Sequence, residues 1–200
     1  MKSRVYFVRI NDADGLELRK AKLSALLEGS NLLDFIVPSQ QIALKMHFGE
    51  EGNTGFVKPE YVKEICLRII KKRARPILSD TNTLYRGRRL VTEDHIKIAY
   101  EHGFTKEATA AEVVIADDAK KGGVTEIKIN GKFIKTARLA TFFAQADAIV
   151  GIAHFKGHIM TGFGGALKNL GMGCASRKGK LAQHSDISPF VIAQTCTGCG

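Results

Sequence analysis

His47, Asp80, His154 and His158 can trade protons or hold a metal near neutral pH, and they stand in three short stretches otherwise rich in glycine, asparagine and cationic side chains. Residues 45–55 set Lys45, His47 and Asn53 among three glycines. Residues 79–89 set Asp80 and Asn82 before Arg86 and Arg88. Residues 154–169 hold His154, Lys156 and His158, then Gly162, Gly164, Gly165 and Lys168. Imidazole and carboxylate serve as acids and bases, whereas lysine and arginine hold anions. A glycine-rich turn into a helix adds backbone N–H groups for the same anion, so phosphate or carboxylate is the natural guest. The spacing is not that of a phosphate loop, and Leu167 stands where the third glycine of a dinucleotide motif would fall. Asparagine, aspartate and glycine also make turns for conformational reasons alone. What points to a site is that the pattern recurs at three junctions.

His154 and His158 share the spacing that puts two ligands on one face of a helix. Gly157 lies between them, however, and an extended chain of four residues spans about 13 Å, too far for one metal. Separate roles as acid, base, metal ligand or anion contact remain, and His184 joins them as an anion contact. His95 and His102 fall in an amphipathic segment and are assigned to structure. Cys66 sits on the apolar side of its helix, and Cys174 is either packed or a thiol near the site. Cys196 and Cys199 are different: two sulfurs separated by two residues suit an iron-sulfur cluster, a zinc knuckle or a redox disulfide.

These residues need a scaffold. Apolar runs at 5–10 and 42–48 predict strands with a helix over 16–27 between them, a βαβ opening. Pro59 opens a helix in which Val62, Ile65, Cys66, Ile69 and Ile70 keep helical spacing, before a strand at 77–80. A helix over 92–102 leads to a strand at 112–117, and a helix over 137–146 leads to a strand at 148–153. Strict alternation at 125–129 and 132–135 flanks Asn130-Gly131, a type I′ hairpin signal. The expected class is α/β, a largely parallel sheet with helices on both faces and an inserted β-hairpin near 125–135. Ligands gather at the carboxyl ends of such strands, where the three stretches would meet. Residues 1–190 are expected to form one α/β domain that binds an anion or cofactor.

The composition is 44% hydrophobic and 25% charged, with a net charge of +10. No apolar run approaches the roughly 20 residues of a membrane span, and the opening Met1-Lys2-Ser3-Arg4 lacks the apolar core of a signal peptide, so a cytoplasmic protein is expected. Residues 151–185 carry five lysines and arginines, three histidines and no carboxylate. A field of that sign concentrates anions. Aromatic content of 8% with no tryptophan, and no helix-turn-helix, finger or stacking motif, argue against nucleic acid.

His47-Phe48-Gly49-Glu50 with Gly52-Asn53, Asp80-Thr81-Asn82-Thr83-Leu84-Tyr85 with Arg86-Gly87-Arg88-Arg89, and His154-Phe155-Lys156-Gly157-His158 through Gly173 together resemble the domain-of-unknown-function 362 family. Its members are commonly labelled iron-sulfur centre proteins. The resemblance implies that residues 191–200 begin a ferredoxin-like module truncated in this chain. Cys196 and Cys199 would then be the first two ligands of a 4Fe-4S cluster that exchanges electrons with a redox partner, while the α/β domain holds an anionic small molecule or cofactor. It assigns no reaction. A metal- or cofactor-assisted isomerase or transferase acting on a small carboxylate is the competing expectation, and a nucleic-acid binder is the third.

Overall fold

The computed structural model describes residues 3–120, 122–159, 162–184, 192 and 194–197. The chain forms α1 (Leu16–Ser30), β1 (Gln41–Lys45), α2 (Pro59–Lys71), β2 (Arg75–Asp80), α3 (Thr92–Glu101), the short α4 (Lys106–Thr109) and β3 (Glu112–Ile115). Next come β4 (Val124–Lys128), β5 (Thr136–Ala140), α5 (Thr141–Gln145), β6 (Ala148–Gly151), β7 (Lys156–His158), β8 (Gly162–Gly164), α6 (Ala166–Gly171) and α7 (Arg177–Gln183). Among the described residues one sheet has four strands in the order β3-β2-β1-β6, every pair parallel. β4–β5 and β7–β8 are separate antiparallel pairs.

Alternation along β1 divides the core. Ile42 and Leu44 join a cluster with Val62, Cys66 and Ile69 of α2 and Ala99 of α3. Ala43, between them, packs instead with Ala140, Cys174 and Phe143 of α5. Side chains of successive strand residues point to opposite faces, so helices cover both sides of the sheet. α2 starts where Pro59 needs no donor, and Arg68 and Lys71 in its last turn complement the helix dipole. No helix of the described residues is long and apolar enough to cross a membrane.

Two expectations are corrected. Residues 5–10 form no strand; Val5 and Phe7 are 88% and 85% exposed. β1 already has β2 on one side and β6 on the other, so the first strand of the expected βαβ opening cannot pair beside it. The inserted hairpin is present, but its second strand is Thr136–Ala140, not 132–135, and the expected helix over 137–146 shrinks to Thr141–Gln145. Asn130 does take a left-handed φ of 49°. The N–H groups of Ile129 and Asn130 both reach the Lys135 carbonyl, which closes a longer loop than a two-residue turn. Elsewhere the boundaries shift by a few residues.

One glycine fixes the loop after β1. Gly49 has a φ of 97°, and a methyl there would lie 2.6 Å from the His102 and Phe56 rings. Gly49→Ala is therefore expected to cost about 2 kcal/mol or more in urea unfolding; unchanged stability would contradict this packing.

Candidate functional site

Lys45 is the last residue of β1 and Asp80 the last of β2, while Ile152, Ala153 and His154 follow β6. Because these strands run parallel, their carboxyl ends open on one edge, and there a cavity of about 400 Å³ is found. His47, Asp80, His154, His158, Lys45, Lys156, Gly164, Gly165, Lys168 and His184 all border it. The structure thus brings ten of the expected site residues to one space.

Five others lie elsewhere. Asn53 accepts from the Gly55 N–H at 2.5 Å and serves its own turn. Arg88 grips Glu101 through both terminal nitrogens at 2.5 and 2.6 Å. Arg86 is exposed, and Gly162 pairs with His158 across β7–β8 without bordering the cavity. Asn82 is buried below the site, where its Nδ2 donates to Thr92 Oγ1 at 3.1 Å and its N–H to Asp117 Oδ1 at 2.7 Å. The expected glycine-rich turn is in fact a short antiparallel pair, β7–β8, from which the chain enters the six-residue α6.

The floor is a buried ion-pair network. Lys45 Nζ lies 2.9 Å from Asp80 Oδ1 and donates to Asn169 Oδ1 at 2.8 Å and to the Met46 carbonyl at 3.0 Å. Gly173 permits that approach, since a methyl there would overlap Lys45 Cε and Nζ and the Asn169 carbonyl. Arg89 Nη2 and His95 Nε2 stand 3.9 and 3.7 Å from Asp80 Oδ2. Burial alone would raise the Asp80 carboxyl, but Lys45 and Arg89 beside it hold it below the usual carboxylate range. Burial, with Arg89 adding to it, pushes the His47 imidazole down to about 3 despite Asp80, so it is neutral at pH 7.

The walls differ from the floor. Asp80 is the one carboxylate among the described residues bordering the cavity, against the cations Lys45, Arg89, Lys156, Lys168 and Lys180. Lys180 donates to Thr81 Oγ1 at 2.5 Å and to the Asn82 carbonyl, with Asp117 3.9 Å away; burial lowers its pKa. The Arg89 side chain is 7% exposed and faces Glu50 at 3.3 Å, yet its Nε and Nη1 have no hydrogen-bond partner. Neither Lys156 nor Lys168 forms an ion pair among the described residues; Lys168 Nζ hydrogen-bonds His158 Nε2. Leu84, Tyr85, Ile152 and Met172 give the cavity apolar surface. The Tyr85 hydroxyl donates to Glu50 at 2.6 Å, and burial pushes its pKa up to about 12.

Arg89, Lys180 and Tyr85 are site residues that spacing alone did not single out. Arg89 follows Arg88 directly, in a loop closed by the Thr83 N–H on the Arg89 carbonyl at 2.9 Å, and the two side chains part there. Lys180 sits in a basic run that reads as a solvated helix face.

The cysteines separate. Cys66 and Cys174 are buried in the two core clusters, and burial pushes their thiols up to about 12 and 11. Cys196 is exposed, and Cys199 lies outside the described residues. The three described thiols, two of them packed in separate core clusters, do not by themselves supply the four sulfurs of a cluster. No group of three or more His, Cys, Asp or Glu side chains converges on a metal position among the described residues.

A family model described as a domain of unknown function (DUF362) matches residues 42–195, a span that runs from β1 past α7 and takes in the cavity. No curated protein and no solved structure matches the chain.

Proposed function

The chain belongs to the DUF362 family, and we propose that in it the cavity at the carboxyl edge of the sheet binds a small organic anion, held by phosphate or carboxylate. The observation that carries this is the unpaired positive charge of the walls. Among the described residues Lys156 and Lys168 form no ion pair, and Arg89 keeps donors without a hydrogen-bond partner in a nearly buried side chain. A fixed anion would satisfy these donors, and low local polarity strengthens each contact. Leu84, Tyr85, Ile152 and Met172 offer little to a bare inorganic ion and suit a carbon body.

In this reading Lys156 and Lys168 hold the charge. Lys45 and Asp80 form a rigid floor whose ionic needs are met internally. His47 is neutral at pH 7, and with Nδ1 accepting from the Gly49 N–H at 2.9 Å its Nε2–H is a donor, while His154 borders the same cavity as a second polar contact. A 4Fe-4S cluster on Cys196 and Cys199 would need further sulfur ligands, and would supply electron transfer beside the anion site.

Inorganic pyrophosphate and 2-oxoglutarate serve as probes. Lys168→Ala and His154→Ala are each expected to weaken the better-bound probe at least about tenfold, with the melting temperature shifted by no more than about 2 °C because both groups sit at the cavity rim. Binding that survives while the melting temperature collapses would make these residues structural and remove the proposal.

A further inference from the structure

Lys168 is held unlike the buried cations of the cavity. Lys45 and Lys180 each face a carboxylate, Asp80 at 2.9 Å and Asp117 at 3.9 Å. Lys168 faces an imidazole instead, through its hydrogen bond to His158 Nε2. A ring nitrogen that accepts from an amine is neutral and does not anchor an ammonium ion as a carboxylate would. The stems of Lys156 and Lys168 also pass the same point, since a methyl on Gly164 would lie 3.8 Å from Lys156 Cγ and 3.8 Å from Lys168 Cδ. Two amines thus share a small space with no carboxylate between them among the described residues. Burial and the Lys156 charge both lower the Lys168 pKa; burial, then the charges of Lys168 and Lys156, lower that of His158. A lysine beside a second cation, with an imidazole and not a carboxylate at its amine, is a setting in which an amine gives up its proton and becomes nucleophilic.

We propose that Lys168 forms an imine with the carbonyl group of an anionic aldehyde or ketone seated in the cavity, with His158 as its proton acceptor. This rests on the anion-binding function proposed above and names the substrate class. The Nζ lone pair attacks the carbonyl carbon, a C–N bond forms, and the π electrons move to oxygen. One Nζ proton passes to His158 Nε2 and then to the alkoxide, giving the carbinolamine hydroxyl, and the second Nζ proton follows the same route to that hydroxyl as the C=N bond forms. The C–O bond breaks and water leaves, so the step needs neither oxidant nor reductant. Lys156 draws the anionic group of the same molecule, and Tyr85 and Met172 line the space for its carbon body.

Pyridoxal 5′-phosphate is a suitable probe, because it joins an aldehyde to a phosphate and an aromatic ring, absorbs in the visible as an imine, and is fixed to lysine by borohydride. Pyridoxine 5′-phosphate carries the same anion without the aldehyde. The expected result is a single reduced label per chain on the peptide containing Lys168. Labelling should fall at least about tenfold in Lys168→Arg, which keeps the charge, and imine formation should slow in His158→Gln. Label spread over surface lysines, or undiminished in Lys168→Arg, while pyridoxine 5′-phosphate still binds, would overturn the imine and leave the anion site standing. If neither pyridoxine 5′-phosphate nor inorganic phosphate binds, the anion site and the imine fail together.

Discussion

Lys45→Met is expected to destabilise the chain by about 3–5 kcal/mol, the largest effect of any single substitution in the cavity. Lys45 is 1% exposed, and its ammonium is fully occupied by Asp80, Asn169 and the Met46 carbonyl. Methionine fills a similar volume without a charge and strands Asp80, which is 4% exposed and keeps the Thr81 N–H at 2.8 Å and, as charged or chargeable neighbours, the more distant Arg89 and His95. A buried carboxylate that loses its partner costs far more than the intact pair contributes. The double variant Lys45→Met/Asp80→Leu removes both charges and should recover much of the loss. Urea unfolding of wild type, single and double variants decides it. A single variant as stable as wild type would mean that Asp80 is satisfied by other groups.

The second large effect is pH dependence. His95 is fully buried, with Nδ1 3.3 Å from Asn82 Oδ1 and Nε2 facing Asp80. Burial pushes its pKa from 6.5 down to about 4; Asp80 opposes the shift, and Arg89, Lys180 and Lys45 add to it. Between those values the unfolded chain binds a proton at this position and the folded chain does not, so stability falls as the pH drops below 6.5. The slope is about 1.4 kcal/mol per pH unit, reaching about 3 kcal/mol near pH 4. His47 acts with the same sign, but its side chain is 32% exposed and water weakens its contribution. Asp80, whose folded pKa is depressed, adds a further loss as the pH falls below its unfolded value toward its folded one. His95→Gln should start less stable and show a flatter profile from pH 6.5 to 4. A wild-type profile that is level between pH 7 and 5 would show His95 to be solvated or protonated in the fold.

Much of this architecture was legible in the sequence where one physical signal dominated. β1 was readable from its apolar run, and α2 from Pro59 and its spaced Val62, Cys66 and Ile69. The segment at 5–10 has the same local character and forms no strand: β1, its expected partner, pairs with β2 and β6 instead, and composition does not report which strands become neighbours. Asn130-Gly131 overstated how tightly the chain would turn. The second hairpin strand is instead placed by long-range contacts: Arg138 pairs with Glu126 at 2.7 Å, and the Ala140 N–H donates to the Cys174 carbonyl at 3.0 Å.

The same division runs through the site. Three polar stretches at strand ends indicated where the cavity would be, since parallel strands bring their carboxyl ends together. Which cation turns inward was not legible. Arg88 is drawn away by Glu101, a helix residue thirteen positions later, and Arg89 is left to face the cavity. Lys180 is buried because Gly179 lets α7 approach β5, where a methyl would overlap the Arg138 carbonyl. Neither cause is visible without the fold.

Calorimetric titration of pyrophosphate, 2-oxoglutarate and pyridoxine 5′-phosphate into the wild-type chain and a Lys156→Ala/Lys168→Ala variant tests the anion site most directly. Sub-millimolar binding of at least one of these anions, weakened by added salt and lost in the double variant, is the predicted result. Failure of all three to bind, or binding that is indifferent to the two lysines, would contradict it.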